Sequence, residues 1–196
     1  MAFFALPVPA AAQAVLQRKL EPLQRLAPGL HWVHPQDFHI TLRFLGGLAR
    51  QELAELLERA QEGLPVVTEF SCAFSVLQVF PARSHRGTLW LGLSQYPDQL
   101  LQLQQHLENL AQTWGFVPET RVFQPHMSVA RFSAAEAPLI ETLKTLWAVD
   151  ETADFAANSY ALMKRQSGVK EGPGIALYDT ILSRSLPKGS ASAFPC

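Results

Sequence analysis

Two short strings place a histidine and a hydroxyl residue two positions apart: His39-Ile40-Thr41 and His126-Met127-Ser128. On a strand, residues i and i+2 project from one face, so each string would present an imidazole beside a hydroxyl. If the two strands lay side by side across a pseudo-twofold axis, two imidazoles and two hydroxyls would converge. Cleaving a phosphodiester needs a base for the attacking oxygen and an acid for the leaving one. Histidine, with an ordinary pKa near ~6.5, can serve as either at neutral pH. The hydroxyls can donate hydrogen bonds to non-bridging phosphate oxygens as they gain charge. The scheme requires no metal and no cofactor.

The likeness runs further than the pairs. Phe38-His39-Ile40-Thr41-Leu42-Arg43-Phe44 echoes Pro125-His126-Met127-Ser128-Val129-Ala130-Arg131-Phe132, each ending on a basic residue and Phe, and each followed by a helical pattern. The two strings stand nearly half the chain apart, which predicts two similar lobes with one such strand each. Apolar stripes at helical spacing predict helices over 10–26, 51–64, 98–114 and 138–147. Asp98 reads as an N-cap, and Gly63, Pro65 and Gly115 as stops. Strands are expected at 2–6, 37–45, 69–80, 88–93, 125–132, 154–165 and 175–185, the last two joined by an open hairpin loop holding Ser167-Gly168 and Glu171-Gly172-Pro173-Gly174. Helices scattered among hairpin-compatible strands predict an α+β fold. No linker or low-complexity tract divides the chain, so residues 1–196 read as a single domain.

Composition narrows the functional classes. Of 196 residues 48% are hydrophobic, enough to offset the entropy of ordering the chain. Sixteen Lys and Arg against seventeen Asp and Glu give a formal charge of −1, which excludes a strongly basic nucleic-acid binder; an anionic ligand must be held by a local cluster. No run reaches the roughly 18 apolar residues of a membrane span, and the apolar N-terminal stretch lacks a basic n-region and is broken by Pro7 and Pro9. Cys72 and Cys196 form no disulfide framework, so a cytoplasmic setting is expected. Nothing points to an obligate protein partner, and a monomer is expected.

The string His39-Ile40-Thr41-Leu42-Arg43-Phe44-Leu45-Gly46 resembles the first signature of the 2H phosphoesterases, and Pro125 to Arg131 the second. Within that superfamily the chain is most similar to the RNA 2′,3′-cyclic phosphodiesterases, first described as 2′-5′ RNA ligases. Phe3-Phe4-Ala5-Leu6-Pro7, the stretch from Phe80-Pro81 to Leu89-Trp90-Leu91-Gly92, and Arg121-Val122-Phe123-Gln124-Pro125 extend the likeness over about residues 3–132. The resemblance implies a bilobal fold, two antiparallel sheets forming a central groove with helices outside. It implies hydrolysis of a 2′,3′-cyclic phosphate, at an RNA end or on a nucleotide, to a 2′-phosphate. His126 would be the general base, His39 the general acid, Thr41 and Ser128 the phosphate holders, and Arg131 a further phosphate or ribose ligand. Ser128 stands where threonine is usual, and Met127 where Leu or Ile is. Other readings are 2′-5′ end joining, cleavage of 2′-5′ linkages, and a nucleotide- or RNA-binding module without turnover.

Several residues stay open. In a regular strand Arg131 would turn away from His126 and Ser128, so a bulge or twist is needed to bring it to a phosphate. Arg43 could contact substrate, reach solvent or sit in a salt bridge. The basic run Arg83-Ser84-His85-Arg86 is either a solvated hairpin tip or a contact for RNA phosphates. His34, Asp37 and His39 could suggest a metal site, but the usual tight ligand spacing is absent. His106 reads as surface and Cys72 as core.

Overall fold

The computed structural model describes residues 1–83, 86–147, 153–172 and 175–189. In the N-terminal half β1 (Ala2–Pro7), α1 (Ala10–Leu26), β3 (His39–Gly46) and α2 (Arg50–Gly63) follow in order, with the two-residue β2 (His31–Trp32) before β3. The middle of the chain repeats the scheme with β5 (Arg86–Leu93), α3 (Asp98–Thr113), β6 (His126–Phe132) and α4 (Ala137–Leu146), preceded by β4 (Phe70–Arg83). In each unit the first strand pairs antiparallel with the histidine-bearing one, and the helix between them makes the connection. The remaining strands are β7 (Ala153–Ala157), β8 (Ser159–Arg165) and β9 (Tyr178–Ser185). They complete two antiparallel sheets, β3-β1-β8-β9 and β2-β6-β5-β4-β7.

The helical stripes account for the packing. Leu16, Leu20 and Leu23 of α1, Leu56 of α2, Leu100, Leu103 and Leu107 of α3, and Ile140 and Leu143 of α4 join one core with Phe4, Leu6, Ile40, Leu42, Leu89, Leu91, Met127 and Val129 from the strands. Each strand therefore gives one face to the helices and turns its other face outward. On that other face of the first sheet Phe3, Ala5, Ala161 and Met163 form a small cluster with Tyr178. This α+β arrangement of two antiparallel sheets is the expected one. Among the described residues no helix is long and apolar enough to cross a membrane.

Boundaries differ from expectation in instructive places. Segment 154–165 is two strands: β7 pairs with β4 in one sheet and β8 with β1 in the other, the chain crossing over at Asn158. Asp37 lies in a 3-10 turn, Pro35–Asp37, rather than in β3. Pro97 occupies the N-cap position of α3 and Asp98 is its first residue, so no side chain caps that end. Gly115 takes φ 89°, a left-handed conformation that glycine adopts without a Cβ clash, and ends α3 as expected.

Candidate active site

The pairing registers set the site. Pro7 faces His39 and Ala5 faces Thr41; likewise Gly92 faces His126 and Trp90 faces Ser128. His39 with Thr41, and His126 with Ser128, thus share one face of their strands, and β3 lies against β6 where the two sheets meet. Thr41 and His126 border one groove of about 660 Å³, a size that suits a nucleotide. Neither hydroxyl has a side-chain hydrogen-bond partner among the described residues.

Each imidazole is held in the same way. Nδ1 of His39 lies 2.6 Å from the carbonyl of Asp37, and Nδ1 of His126 lies 2.8 Å from that of Gln124. A carbonyl only accepts, so both rings carry their hydrogen on Nδ1 and keep Nε2 for chemistry. Aromatic rings fix the imidazole planes. Phe3 stacks on His39 at 4.9 Å and Tyr178 meets it edge-on at 5.5 Å. Phe80 and Trp90 meet His126 edge-on at 4.9 and 5.6 Å. Gly92 is required here, because a Cβ would stand 2.9 Å from the Trp90 ring. Burial lowers His39 to about 4; the Asp37 carbonyl opposes the shift and His126 adds to it. Burial also lowers His126, against the Gln124 carbonyl.

Both strands then bulge at the same step. Leu42 is the extra residue between Thr41 and Arg43, and Val129 that between Ser128 and Ala130. The bulge reverses the alternation, so the fifth residue after each histidine returns to the groove side. Arg131 is thereby brought onto the face of His126 and Ser128, and Phe44, 41% exposed, onto that of His39 and Thr41. The fourth residue is turned inward instead. Arg43 is buried, its Nε 2.6 Å from Glu108 Oε2 on α3, and its other nitrogens donate to the carbonyls of Phe44 and Val117. Of the roles open to Arg43, the salt bridge is the one observed.

A family model described as the 2′-5′ RNA ligase superfamily matches residues 7–169. The chain belongs to that superfamily. Two curated relatives, both named RNA 2′,3′-cyclic phosphodiesterase, come from Geobacillus stearothermophilus and Aquifex aeolicus. The first is 28% identical over 98% of this chain, which spans 56% of that relative's length. The second is 27% identical over 67% of this chain and 71% of its own. A solved structure of Escherichia coli LigT with 3′-AMP superposes with a TM-score of 0.67, covering 94% of this chain and 97% of that one at 21% identity, and so shares the fold.

The two strands whose sequences resemble the 2H signatures, β3 and β6, thus lie against each other. Three features around them could not be read from the sequence. The aromatic pair at each histidine comes from neighbouring strands, a pairing that no local pattern displays. Asp37, read as a potential ligand, is buried and accepts the amides of Leu177 at 2.7 Å and Tyr178 at 3.2 Å, which seats Tyr178 against His39. Burial raises its pKa, against those two hydrogen bonds and His34. The set His34, Asp37 and His39 is thus not assembled as ligands, and His34 Nδ1 instead accepts the Gln36 amide. Third, Glu171 of the β8–β9 loop pairs with both Arg131 and Arg86. Ser84, His85, Cys196 and the Arg83 side chain lie outside the described residues; Arg86 borders the groove. His106 is exposed, and Cys72 is buried with its thiol pushed up to about 12.

Proposed function

We propose that this chain hydrolyses 2′,3′-cyclic phosphates, at RNA ends or on nucleotides, to 2′-phosphates by paired-histidine acid–base catalysis. The observation that carries the reading is the matched pair of imidazoles on adjoining strands, both with Nδ1 tied to a carbonyl, His126 bordering the groove and His39 on the strand face of Thr41, which borders it too. The names of the curated relatives supply the substrate class. Water attacks phosphorus while His126 Nε2 takes its proton; the P–O3′ bond breaks and His39 Nε2–H protonates the departing 3′ oxygen. Thr41 and Ser128 donate to the non-bridging oxygens, and Arg131 balances their charge.

This assignment makes one demand. In the free protein His39 has a pKa of about 4, so it must gain its proton as the anionic phosphate arrives beside it. We place the reaction in the cytoplasm, with the chain acting as a monomer without an obligate protein partner. The superfamily's name favours a second reading, reversible 2′-5′ joining of RNA ends by the same groups.

The decisive experiment incubates the protein with 2′,3′-cyclic AMP and a cyclic-phosphate-ended RNA in EDTA, beside His39→Ala and His126→Ala. Wild-type conversion to the 2′-phosphate, lost in both variants, is the expected result. No turnover, even with metals restored, would overturn the reading and leave a binding module. Linkage-specific nuclease digestion of RNA products separates hydrolysis from joining.

A further inference from the structure

Glu171 stands in the loop between β8 and β9, on a hollow that Asp37 and Tyr178 also border. The loop is tied at one end by the Gln166 amide on the Leu177 carbonyl, and further by the Leu177 and Tyr178 amides on Asp37. From there Glu171 reaches across to the other sheet. Its Oε2 accepts from Arg86 Nη1 of β5 at 3.0 Å, and its Oε1 lies 3.2 Å from Arg131 Nη1 of β6. Arg86 and Thr88 share a strand face, and Thr88 faces Arg131; Arg86 borders the groove, and Arg131 and Glu171 line a small hollow that the Arg86–Glu171 pair joins to it. Two cations and one carboxylate leave the cluster with a single net positive charge.

We propose that Glu171 is a specificity-determining residue that matches this cluster to a monoanionic phosphodiester and disfavours a dianionic phosphomonoester. The proposal rests on the reading that the substrate is a cyclic diester and the product a monoester. A cyclic diester carries one negative charge, whereas a monoester carries about −1.5 to −2 at pH 7, its second pKa lying near ~6. Two unopposed arginines would hold the product more tightly than the substrate. Glu171 cancels one of the two charges and so speeds product release.

The test compares wild type with Glu171→Gln, using calorimetric binding of 2′-AMP and the KM for 2′,3′-cyclic AMP. His31, opposite Arg131 on β2, His34, Asp37 and Tyr178 are the other titratable groups bordering the hollow of Arg131 and Glu171, so variant and wild type are compared at each pH. Removing one charge acts twice on a dianion, so at pH 8 the variant should bind 2′-AMP about tenfold tighter while KM falls only about threefold. At pH 5, where the monoester is monoanionic, the gain for 2′-AMP should shrink to about threefold. Glu171→Asp, which keeps the charge, should restore the discrimination. Equal gains for both ligands at pH 8, a gain that does not change with pH, or weaker binding of both would overturn the proposal. Wild type that neither binds 2′-AMP nor turns over the cyclic substrate would instead overturn the underlying reading, and the proposal with it.

Discussion

The two histidine strands are built to one plan up to the third residue after the histidine and diverge beyond it. Each ties Nδ1 to the carbonyl two residues earlier, buries the residue after the histidine, presents a hydroxyl and bulges. After the bulge β6 buries Ala130 and presents Arg131, whereas β3 buries Arg43 and presents Phe44. On the proposed reading the shared part positions acid and base, which cleavage of any phosphodiester needs. The divergent part puts a cation on one side and an aromatic face on the other, which a symmetric phosphate does not require and a nucleotide, with its phosphate at one end and base at the other, does.

The largest effect should come from breaking the shared part. His39→Ala or His126→Ala should each lower kcat on 2′,3′-cyclic AMP by about 10²–10⁴-fold. The double variant should be only a few-fold worse than the poorer single one, because acid and base act in one step. Since His39 also packs against Phe3 and Tyr178, His39→Gln serves as a control that keeps most of the volume. Circular dichroism with kcat measurement decides: a loss below tenfold in a folded variant contradicts the acid and base roles of the two rings.

The buried position after the bulge tests stability rather than catalysis. Arg43 and Glu108 are both nearly sealed from solvent, with side chains 6% and 9% exposed. Arg43→Met strands the Glu108 carboxylate and should destabilise the fold by about 3–5 kcal/mol, read by urea denaturation. Pairing it with Glu108→Leu should recover most of that loss. If the single variant is as stable as wild type, the ion pair does not hold α3 to β3.

Arg131→Met probes the cation that β6 presents. Loss of a charge that strengthens its hold as the phosphate gains negative charge should lower kcat/KM by about 10²-fold, mostly in kcat. A change in KM alone would make Arg131 a ground-state ligand.

These differences explain what the sequence displayed and what it hid. The helices were legible because leucines at 3.6-residue spacing have one solution, and the groove faces of His39 with Thr41 and His126 with Ser128 follow from a period of two. The need for a bulge or twist before Arg131 was legible but its place was not, since Leu42 and Val129 are ordinary strand residues and only the pairing to β1 and β5 makes them extra. That hidden step decided the fates of Arg43 and Arg131. Segment 154–165 misled for a related reason: both halves are strand-like, and the change of sheet at Asn158 is a tertiary event. Glu171 meets Arg86 and Arg131 across 85 and 40 residues of chain, a distance over which no local spacing rule operates.

The unequal burial of the two imidazoles should appear in the pH dependence. The proposed mechanism needs one ring protonated and the other neutral, so kcat/KM should peak between the two free-enzyme pKa values. His39 is at about 4 and His126 is below its ordinary 6.5. Above pH 6.5 the productive form declines, and kcat/KM should fall about tenfold per pH unit. kcat should hold to higher pH, because bound phosphate raises His39. A kcat/KM that stays level from pH 6.5 to 8 would contradict the lowered pKa values of the pair. In the folding equilibrium the sign follows from the same burial. The unfolded chain binds a proton that the folded His39 refuses, so stability contributed above pH 6.5 is lost as pH falls through about 4.

The smallest effect belongs to Phe44. It sits where the bulge places Arg131 on β6, 6.5 Å from Phe3 and exposed on the groove. If it offers a face to the base, Phe44→Ala should raise KM for 2′,3′-cyclic AMP about fivefold or more, since stacking of a base on an aromatic ring is worth about 1–3 kcal/mol. kcat should stay within about twofold, because the base does not change between ground and transition state. Phe44→Trp should restore KM, and a cyclic ribose phosphate without a base should be indifferent to either change. A kcat loss in Phe44→Ala that equals its loss in kcat/KM would place the ring with the histidines instead, and the two lobes would then divide the reaction rather than the substrate.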